Sequence, residues 1–378
     1  MMKDPLYLKK AEHLDAVSLI KRALGRQKGH VKSTIQLAAV RLMEVLRQRA
    51  RSETQTLTTY AKGLPSGVRE EDLLYPGRRD DAENAGELKG DNVADAKEKA
   101  ESALKAAGFG IAPPDWASYY AILCADGDRM GKMLGNISDA REHQRLSAAL
   151  SEFAERAKEI VGACEGHLVY SGGDDVLALL PVHTALGCAA QLAQAFKARV
   201  APWASDGCGT LSVGVAIVHY MEPLRISLER ARQAEREAKK KRNSLAVALH
   251  TRGGEPRIVV EKWRPNFDLT IWNEWTEAFR DKDGLAHGFP YELRHLAREA
   301  KGVLSADTLT AEALRILERK QGGTGNQPYL ESLKAAIQAC DDPDKLEALV
   351  AKLIICRFLA QYPNIRRCTD ADDTTTGS

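Results

Sequence analysis

Apolar residues recur along this chain with two different spacings, and the change between them marks its organisation. In the first part of the chain the spacing is helical. Two sets of apolar residues recur there at steps of three and four: Leu14, Val17, Ile20 and Leu24, then Ile35, Ala38, Leu42 and Val45. This pattern predicts an N-terminal helical subdomain over residues 1–62.

Residues 63–112 do not continue this periodicity. They are polar and rich in Gly, Asp, Glu and Lys, and Pro65 and Pro76 interrupt the segment. Polar segments with such breakers are typical of connections that run over a protein surface. The sequence therefore predicts a polar linker or insertion here.

Residues 113–264 combine short apolar runs with amphipathic segments. The first six predicted elements follow the order strand-helix-strand-strand-helix-strand, which is typical of a ferredoxin-like fold. A further helix and strand follow them. The fold class is therefore predicted to be α+β, with a ferredoxin-like palm flanked by helical domains. The predicted strands are 119–124, 167–170, 176–180, 211–218 and 245–249, and the predicted helices are 146–161, 186–200 and 224–238.

Residues 265–368 return to helical spacing, and the last ten residues contain almost no apolar side chain. The helical part is predicted to form a C-terminal helical domain or a bundle docked on the palm. The tail, 369–378, is predicted to be disordered. The periodic residues of the helical part are Leu293, Leu296, Ala300, Leu314, Leu317, Leu346, Leu349 and Leu353.

The bulk composition excludes several classes of protein. Lys and Arg number 54 against 52 Asp and Glu, so any RNA contact must come from local patches. The seven cysteines are scattered without a C-x-x-C pair, which argues against a disulfide framework or a zinc ribbon. No apolar run reaches the roughly 18 residues that span a membrane, and no signal peptide is evident. We therefore expect a cytoplasmic protein that does not contact a membrane.

Two acidic clusters each follow a predicted strand. Asp126-Gly127-Asp128 comes directly after the first strand, and Asp174-Asp175 lies in the turn of the predicted hairpin, 48 positions after Asp126. In a palm the first strand lies beside that hairpin, so these carboxylates are expected to converge.

Converging carboxylates repel one another unless a cation neutralises them, and their oxygen atoms suit Mg²⁺ or Mn²⁺. Two such ions can activate an attacking 3′-hydroxyl and hold the leaving pyrophosphate of a nucleoside triphosphate. We therefore predict nucleotidyl transfer, with Asp126, Asp174 and Asp175 as catalytic residues.

Neighbouring residues suit a triphosphate. Backbone can approach a ligand closely at Gly127, Gly131, Gly172 and Gly173. A helix that begins near Arg129 would present free amides to anionic oxygens, and a basic run follows a later helix. The predicted nucleotide-binding set is Gly127, Asp128, Arg129, Met130, Gly131, Ser171, Gly172, Gly173 and Lys239.

Two of these assignments have structural alternatives that do not involve a nucleotide. Asp128 is equally well suited to cap the helix that starts at Arg129. The run from Lys239 to Arg242 is by default a solvated helix end that complements the helix dipole, and only Lys239 is assigned to the nucleotide.

Four segments together resemble the second palm of the type III CRISPR large subunit, Cmr branch. They are 125–132 (ADGDRMGK), 170–175 (YSGGDD), 214–219 (GVAIVH) and 234–243, which begins Ala-Glu and ends Arg-Asn; residues 16–22 and 33–34 resemble the region that precedes that palm. The resemblance implies an enzyme that makes cyclic oligoadenylates from ATP when its complex binds target RNA.

The same resemblance implies roles for single residues. Asp126 and Asp174 are implied metal ligands, helped by the Gly127 carbonyl, and Asp175 is implied to be a further ligand or to help activate the hydroxyl. The implied partners are other Cas subunits, crRNA and target RNA.

The chain departs from the family's usual pattern. It has no His-Asp dipeptide of an HD nuclease and only one palm. We expect the rest of the ATP site to come from another chain, a second copy or a portion outside this sequence. Two alternatives stay open: a scaffold subunit with a weak or silent palm that binds Cas proteins and RNA, and a stand-alone diguanylate or adenylate cyclase that acts as a homodimer.

Overall fold

The computed structural model describes residues 32–64, 68–204, 207–301, 303–321 and 328–364. They belong to two compact units, which divide between Pro114 and Asp115. The apolar positions predicted at 14–24 and the tail at 369–378 lie outside the described residues. Among those that are described, no helix is long and apolar enough to cross a membrane.

The first unit is helical in the part that is described. Its first helix begins with a capping box, in which Gln36 N donates to Ser33 Oγ and Ser33 N donates to Gln36 Oε1. The predicted periodic residues between 35 and 45 are buried on this helix. The helices are α1 (Thr34–Arg49), α2 (Arg51–Gly63), α3 (Glu70–Leu74), α4 (Pro76–Asn84) and α5 (Asp91–Ala106).

The surface connection predicted for residues 63–112 is wrong, because most of this segment is packed helix. Leu73, Leu74 and Leu104 are fully buried, and the buried face of α5 is otherwise made of alanines such as Ala96 and Ala100. Small side chains leave little apolar signal among many charged ones, so the pattern escaped detection. The alternative of an insertion stays a prediction.

The second unit contains the predicted palm, a mixed sheet with strand order β2-β3-β1-β4-β5-β6. β1 pairs antiparallel with both β3 and β4, which is the ferredoxin-like arrangement. β5 extends this core in parallel to β4, and β6 pairs antiparallel with β5. The predicted fold class is thus confirmed. The strands are β1 (Tyr119–Gly127), β2 (His167–Ser171), β3 (Val176–Pro181), β4 (Leu211–His219), β5 (Ser244–Leu249) and β6 (Arg257–Lys262).

Four helices connect these strands. α9 crosses from β4 to the parallel β5, packs against both strands and carries Ala234 and Ala238 into the core. α8 packs against β4 and β1, and Phe153 of α7 meets Phe196 of α8 edge to face, with ring centroids 5.1 Å apart. The helices are α6 (Met130–Gly135), α7 (Ala140–Ala163), α8 (Val182–Val200) and α9 (Leu224–Lys241).

The C-terminal helices belong to the same compact unit as the sheet. They are anchored on β6, where Glu261 accepts from Lys352 Nζ over 2.8 Å and from Trp272 Nε1 over 3.1 Å. Tyr362 also donates to the Trp116 carbonyl over 2.6 Å. The domain boundary at 264/265 therefore stays a prediction. The helices are α10 (Thr270–Arg280), α11 (Phe289–Glu299), α12 (Ala306–Lys320), α13 (Pro328–Gln338) and α14 (Pro343–Leu359).

Candidate active site

Three carboxylates from two distant segments meet at one end of the sheet. Asp126 lies near the end of β1, and Asp174 and Asp175 lie in the turn between β2 and β3. One carboxylate oxygen from each lies within 4.8 Å of the others. The Gly127 N–H donates to the Asp174 carbonyl over 3.1 Å and so ties the two segments together. The predicted convergence of these carboxylates is confirmed, while their catalytic roles stay a prediction.

The close approach of the hairpin to β1 requires glycine at position 127. A Cβ atom there would lie 2.8 Å from Met130 Cγ and 2.9 Å from Asp174 Cβ. In the turn itself, Gly173 has a φ of +104°, which L side chains rarely adopt. The Gly172 N–H closes the turn by donating to the Asp175 carbonyl over 3.0 Å. The glycines of the motif are therefore explained by the backbone path.

The acidic cluster concentrates negative charge at one end of the sheet. Burial raises the pKa of Asp174, and the neighbouring Asp175 raises it further, while a hydrogen bond from its own backbone acts in the opposite direction. Such an arrangement of hard oxygen donors favours a divalent cation. The donor set fits Mg²⁺ or Mn²⁺.

Lys239, at the end of α9, already places a positive charge in this cluster. Its Nζ atom donates to the Gly127 carbonyl over 2.7 Å, contacts Asp126 Oδ2 and lies 3.8 Å from Asp128 Oδ1. Burial and, to a lesser extent, the nearby Arg242 lower the pKa of this ammonium to about 8. Lys239 therefore reaches the predicted site.

Asp128 differs from both of its predicted roles. Its side chain is 0% exposed, and it accepts hydrogen bonds from Thr210 Oγ1 over 2.7 Å, Ser212 Oγ over 2.8 Å and the Asn243 N–H over 2.8 Å. It does not cap α6, since Arg129 stands at the N-cap position with a left-handed backbone. Asp128 therefore fixes the turn after Lys239 from inside the protein and does not reach a nucleotide.

The backbone amides of the loop at the start of α6 are the predicted triphosphate contacts in this segment. The first turn closes where Lys132 N and Met133 N each donate to the Arg129 carbonyl over 3.0 Å, so the amides of Met130 and Gly131 precede it. A Cβ at Gly131 would meet no atom within 4 Å. The Met130 side chain is buried, so a nucleotide could contact only its backbone. At the end of β2, the Ser171 hydroxyl is buried without a hydrogen-bond partner among the described residues.

Sequence reasoning missed several residues that build the site. Thr210, Ser212 and Asn243 hold Asp128. Glu235 on α9 lies near the acidic cluster: burial raises its pKa, and the charges of Asp175 and Asp128 raise it as well, although Arg236 lowers it. One feature of the sequence could have identified this part of the site, because an isolated glycine in a β-branched run marks a close backbone approach.

That feature is Gly214 in β4. A Cβ atom there would lie 2.1 Å from the backbone nitrogen of Glu235, so α9 packs directly on the strand. At the end of the same helix Arg242 has φ 55° and ψ 163°, and Asn243 has φ 43°. Few non-glycine residues occupy such conformations, and they concentrate where structure over-determines them. The turn after Lys239 is therefore held in place by its surroundings.

The fold and the site define a class of protein. A ferredoxin-like sheet that brings carboxylates of its central strand and its hairpin turn together is the palm of nucleotide cyclases and polymerases. Residues 119–246 match the family model of the Cas10/Cmr2 second palm domain. The palm of this chain is therefore similar to the second palm domain of Cas10/Cmr2 proteins.

Known relatives show the same relationship. The CRISPR system Cmr subunit Cmr2 of Pyrococcus furiosus is 33% identical over 212 residues, which cover 48% of this chain and 24% of that protein. A type III-B Cmr-beta structure bound to cognate target RNA matches with a TM-score of 0.55 and 13% identity, over 90% of this chain and 50% of the matched chain. The apo Cmr-beta structure gives a TM-score of 0.52 and 12% identity, over 92% and 49%.

At these identities the two structures show a shared fold. This chain spans about half the length of the chains matched in the two assemblies and about a quarter of the Pyrococcus protein.

Proposed function

We propose that this chain is a metal-dependent nucleotidyltransferase that makes cyclic oligoadenylates from ATP within a type III CRISPR effector complex when target RNA is bound. The observation that carries the proposal is the convergence of Asp126, Asp174 and Asp175 beside the ammonium of Lys239. This arrangement supplies both ligands for divalent cations and a positive charge for phosphate.

Asp126, Asp174 and Asp175, with the Gly127 carbonyl, would hold Mg²⁺ or Mn²⁺. A pair of such ions, when bound, neutralises phosphate charge and activates a 3′-hydroxyl. The donor set suits cations, because the Lys239 ammonium already lies against Asp126 and the Gly127 carbonyl.

The remaining residues would bind and orient the nucleotide. The amides of Met130 and Gly131 would donate to triphosphate oxygens, and Lys239 would turn toward the phosphates once a metal takes its present oxygens. Asp128 is a positioning residue in this scheme, since it holds the Asn243 N–H and thus the turn that follows Lys239. In this scheme the sheet and α9 hold the reacting groups in fixed positions, which favours the reaction.

The partners in this proposal are other Cas subunits, crRNA and target RNA. They are suggested by the assemblies named for the relatives, one of which is bound to cognate target RNA. A second palm, from another chain or from a second copy of this one, would complete the ATP site.

The test replaces both turn carboxylates, Asp174→Ala with Asp175→Ala. Protein would be incubated with each NTP and Mg²⁺ or Mn²⁺, with and without the cognate RNA complex, and the products identified by mass spectrometry. We expect wild-type protein to form cyclic oligoadenylate and the double variant to form none. A matched control is Asp80→Ala with Asp81→Ala, an adjacent exposed pair on α4, which should leave product formation unchanged.

The alternatives give different outcomes. Turnover of GTP or ATP by purified protein without RNA would favour a stand-alone cyclase. Association with crRNA without turnover of any NTP, in wild type and double variant alike, would favour a scaffold subunit. Product formation by the double variant would reject the proposed site.

A further inference from the structure

We propose that a second cleft, at the opposite end of the sheet from the acidic cluster, binds the phosphate and base of a nucleotide. The cleft lies between the β5–β6 connection and the helices α11 and α14, and it has a volume of about 490 Å³. Tyr119, the first residue of β1, lines it, whereas Asp126 lies near the other end of the same strand. The two sites are therefore separated by the length of β1.

The charge in this cleft is unbalanced. Three guanidinium groups share the single carboxylate of Glu255: Arg294 at 2.5 Å, Arg257 at 3.2 Å and Arg298 at 3.7 Å. The cleft is lined by Arg257 and Arg294, by a further arginine, Arg357, and by one other carboxylate, Asp115. Two carboxylates, Glu255 and Asp115, cannot neutralise four guanidinium charges, so the cleft attracts anions.

Arg357 supplies an independent observation. Its Nη1 atom donates to Tyr291 Oη over 3.0 Å, but its Nε atom is buried without a hydrogen-bond partner among the described residues. Arg357 also lines the cleft, where its outer nitrogens rather than this enclosed Nε would meet a ligand. Guanidinium groups bind phosphate oxygens through paired donors.

Tyr291 supplies a surface for an aromatic base. Its side chain is 45% exposed, and the Arg357 guanidinium carbon lies 5.3 Å from the ring centroid. Aromatic rings beside basic groups are a common combination in the binding of unpaired nucleotides. The volume of the cleft also lies within the roughly 300–1,000 Å³ typical of small-molecule sites.

The ligand chemistry is therefore a nucleotide, either free or as one unit of a single-stranded RNA. Binding here needs no divalent metal, since arginines rather than carboxylates contact the phosphate. Binding at this cleft does not depend on the function proposed for the acidic cluster. EDTA distinguishes the two, because it removes the metal that the acidic cluster needs and should leave binding at the cleft unchanged.

The experiment measures binding to the full chain in EDTA. One arm titrates ATP by calorimetry, and the other follows a fluorescein-labelled single-stranded oligoadenylate by anisotropy. We expect Arg294→Gln to weaken binding by about tenfold, because a charge-assisted hydrogen bond is lost. We expect Glu255→Gln to tighten binding severalfold, because it releases guanidinium groups for phosphate.

The two variants are expected to change the affinity in opposite directions. This decides the question, because a merely structural role for the arginines would not make Glu255→Gln bind the ligand more tightly. Matched controls are Arg315→Gln and Glu312→Gln, an exposed pair on α12 with a separation of 2.9 Å, which should change nothing. Arg257→Gln replaces Arg294→Gln if the latter lowers the melting temperature.

If the variants change the binding of both ATP and the oligonucleotide as expected, the cleft binds free nucleotides and nucleotides within RNA. If they change the binding of ATP alone, or of the oligonucleotide alone, the cleft binds nucleotides from that source. The proposal is overturned if neither ligand binds in EDTA, if Glu255→Gln weakens binding, or if Asp174→Ala with Asp175→Ala abolishes it.

Discussion

The Lys239 ammonium donates a hydrogen bond to the carbonyl oxygen of Gly127 over 2.7 Å. The same ammonium contacts Asp126. The family resemblance implies that these two oxygens are metal ligands, so Lys239 and a metal ion would compete for them. Under the proposed function, metal binding would require Lys239 to turn away, and a bound triphosphate would be a partner for the released ammonium.

Lys239→Met is expected to separate metal binding from nucleotide turnover. Loss of the competing ammonium should lower the apparent dissociation constant for Mn²⁺ by about tenfold in calorimetry without nucleotide, since a charge-assisted hydrogen bond contributes about 1.5–3 kcal/mol. Turnover of ATP should fall by about 100-fold, because the phosphates lose a positive charge.

Lys240→Met is the matched control, because that exposed side chain pairs with Glu237 instead. It should leave both quantities unchanged. An unaltered Mn²⁺ affinity in Lys239→Met would show that Lys239 does not occupy the metal ligands.

Asp174→Asn should stabilise the metal-free protein. The folded-state pKa of Asp174 is raised, so its ionised form costs stability at neutral pH, and that cost disappears as the pH falls through the raised pKa. Replacement by a neutral side chain should add about 1 kcal/mol at pH 7 in EDTA, as is common when a functional group whose charge is unfavourable is removed.

Mg²⁺ should then raise the melting temperature of wild-type protein but not that of Asp174→Asn, because a ligand stabilises only the state that binds it. Asp80→Asn on α4 serves as the control. A Mg²⁺-dependent shift that survives Asp174→Asn would place the metal elsewhere.

Asp128→Ala is expected to destabilise the protein by about 3 kcal/mol in urea unfolding, because buried donors lose a charged acceptor. Those donors are Thr210, Ser212 and the backbone of Asn243. Asp139→Ala, which removes an exposed N-cap of α7, should cost only about 1 kcal/mol. Equal losses in the two variants would contradict the buried role of Asp128.

Gly214→Ala should impair folding and activity together. The added Cβ would lie 2.1 Å from Glu235 N, and relief of such overpacking costs about 3 kcal/mol and moves the helix that carries Lys239. Gly187→Ala on α8 is the matched control, since its Cβ would meet no atom within 4 Å. That change should be neutral or stabilising by up to about 1 kcal/mol, and a neutral Gly214→Ala would refute the close packing.

His250 should make stability depend on pH. Burial lowers its pKa to about 4, and the charge of Arg230 contributes to this. The unfolded state therefore binds more protons between the ordinary value of about 6.5 and about 4, so stability falls as the pH drops through this window. The full loss is about 3 kcal/mol.

The measurement is chemical denaturation at several pH values between 7 and 4. His250→Asn should flatten the profile in that window, whereas His295→Asn, a change to an exposed histidine, should leave it intact. An unchanged slope in His250→Asn would assign the pH dependence to other groups.

The palm and its acidic cluster were predictable because their signals are local. The apolar run from Tyr119 to Cys124 identified the central strand, and the glycines before Asp174 identified the hairpin turn. The first strand of this fold lies beside that hairpin, so the order of elements alone brought Asp126 and Asp174 together.

The roles of neighbouring residues were not predictable in the same way. Asp128 resembles Asp126 in sequence, but donors 82 and 84 positions later, Thr210 and Ser212, enclose it. Pairing across such a distance depends on strand register, which a single sequence does not specify. The buried alanines of α5 gave too little apolar contrast to mark a packed helix.

The position of Lys239 along the crossover helix α9 sets the direction of its side chain. The helix has 18 residues, and each residue of an α-helix turns the next by about 100°. Inserting or deleting one residue between Glu235, which rests on Gly214, and Lys239 would therefore swing the lysine to another side of the helix. Outside its buried alanines the side chains of α9 face less constraint, whereas the number of residues from its contact with β4 to Lys239 is set by the carboxylates that its last turn reaches.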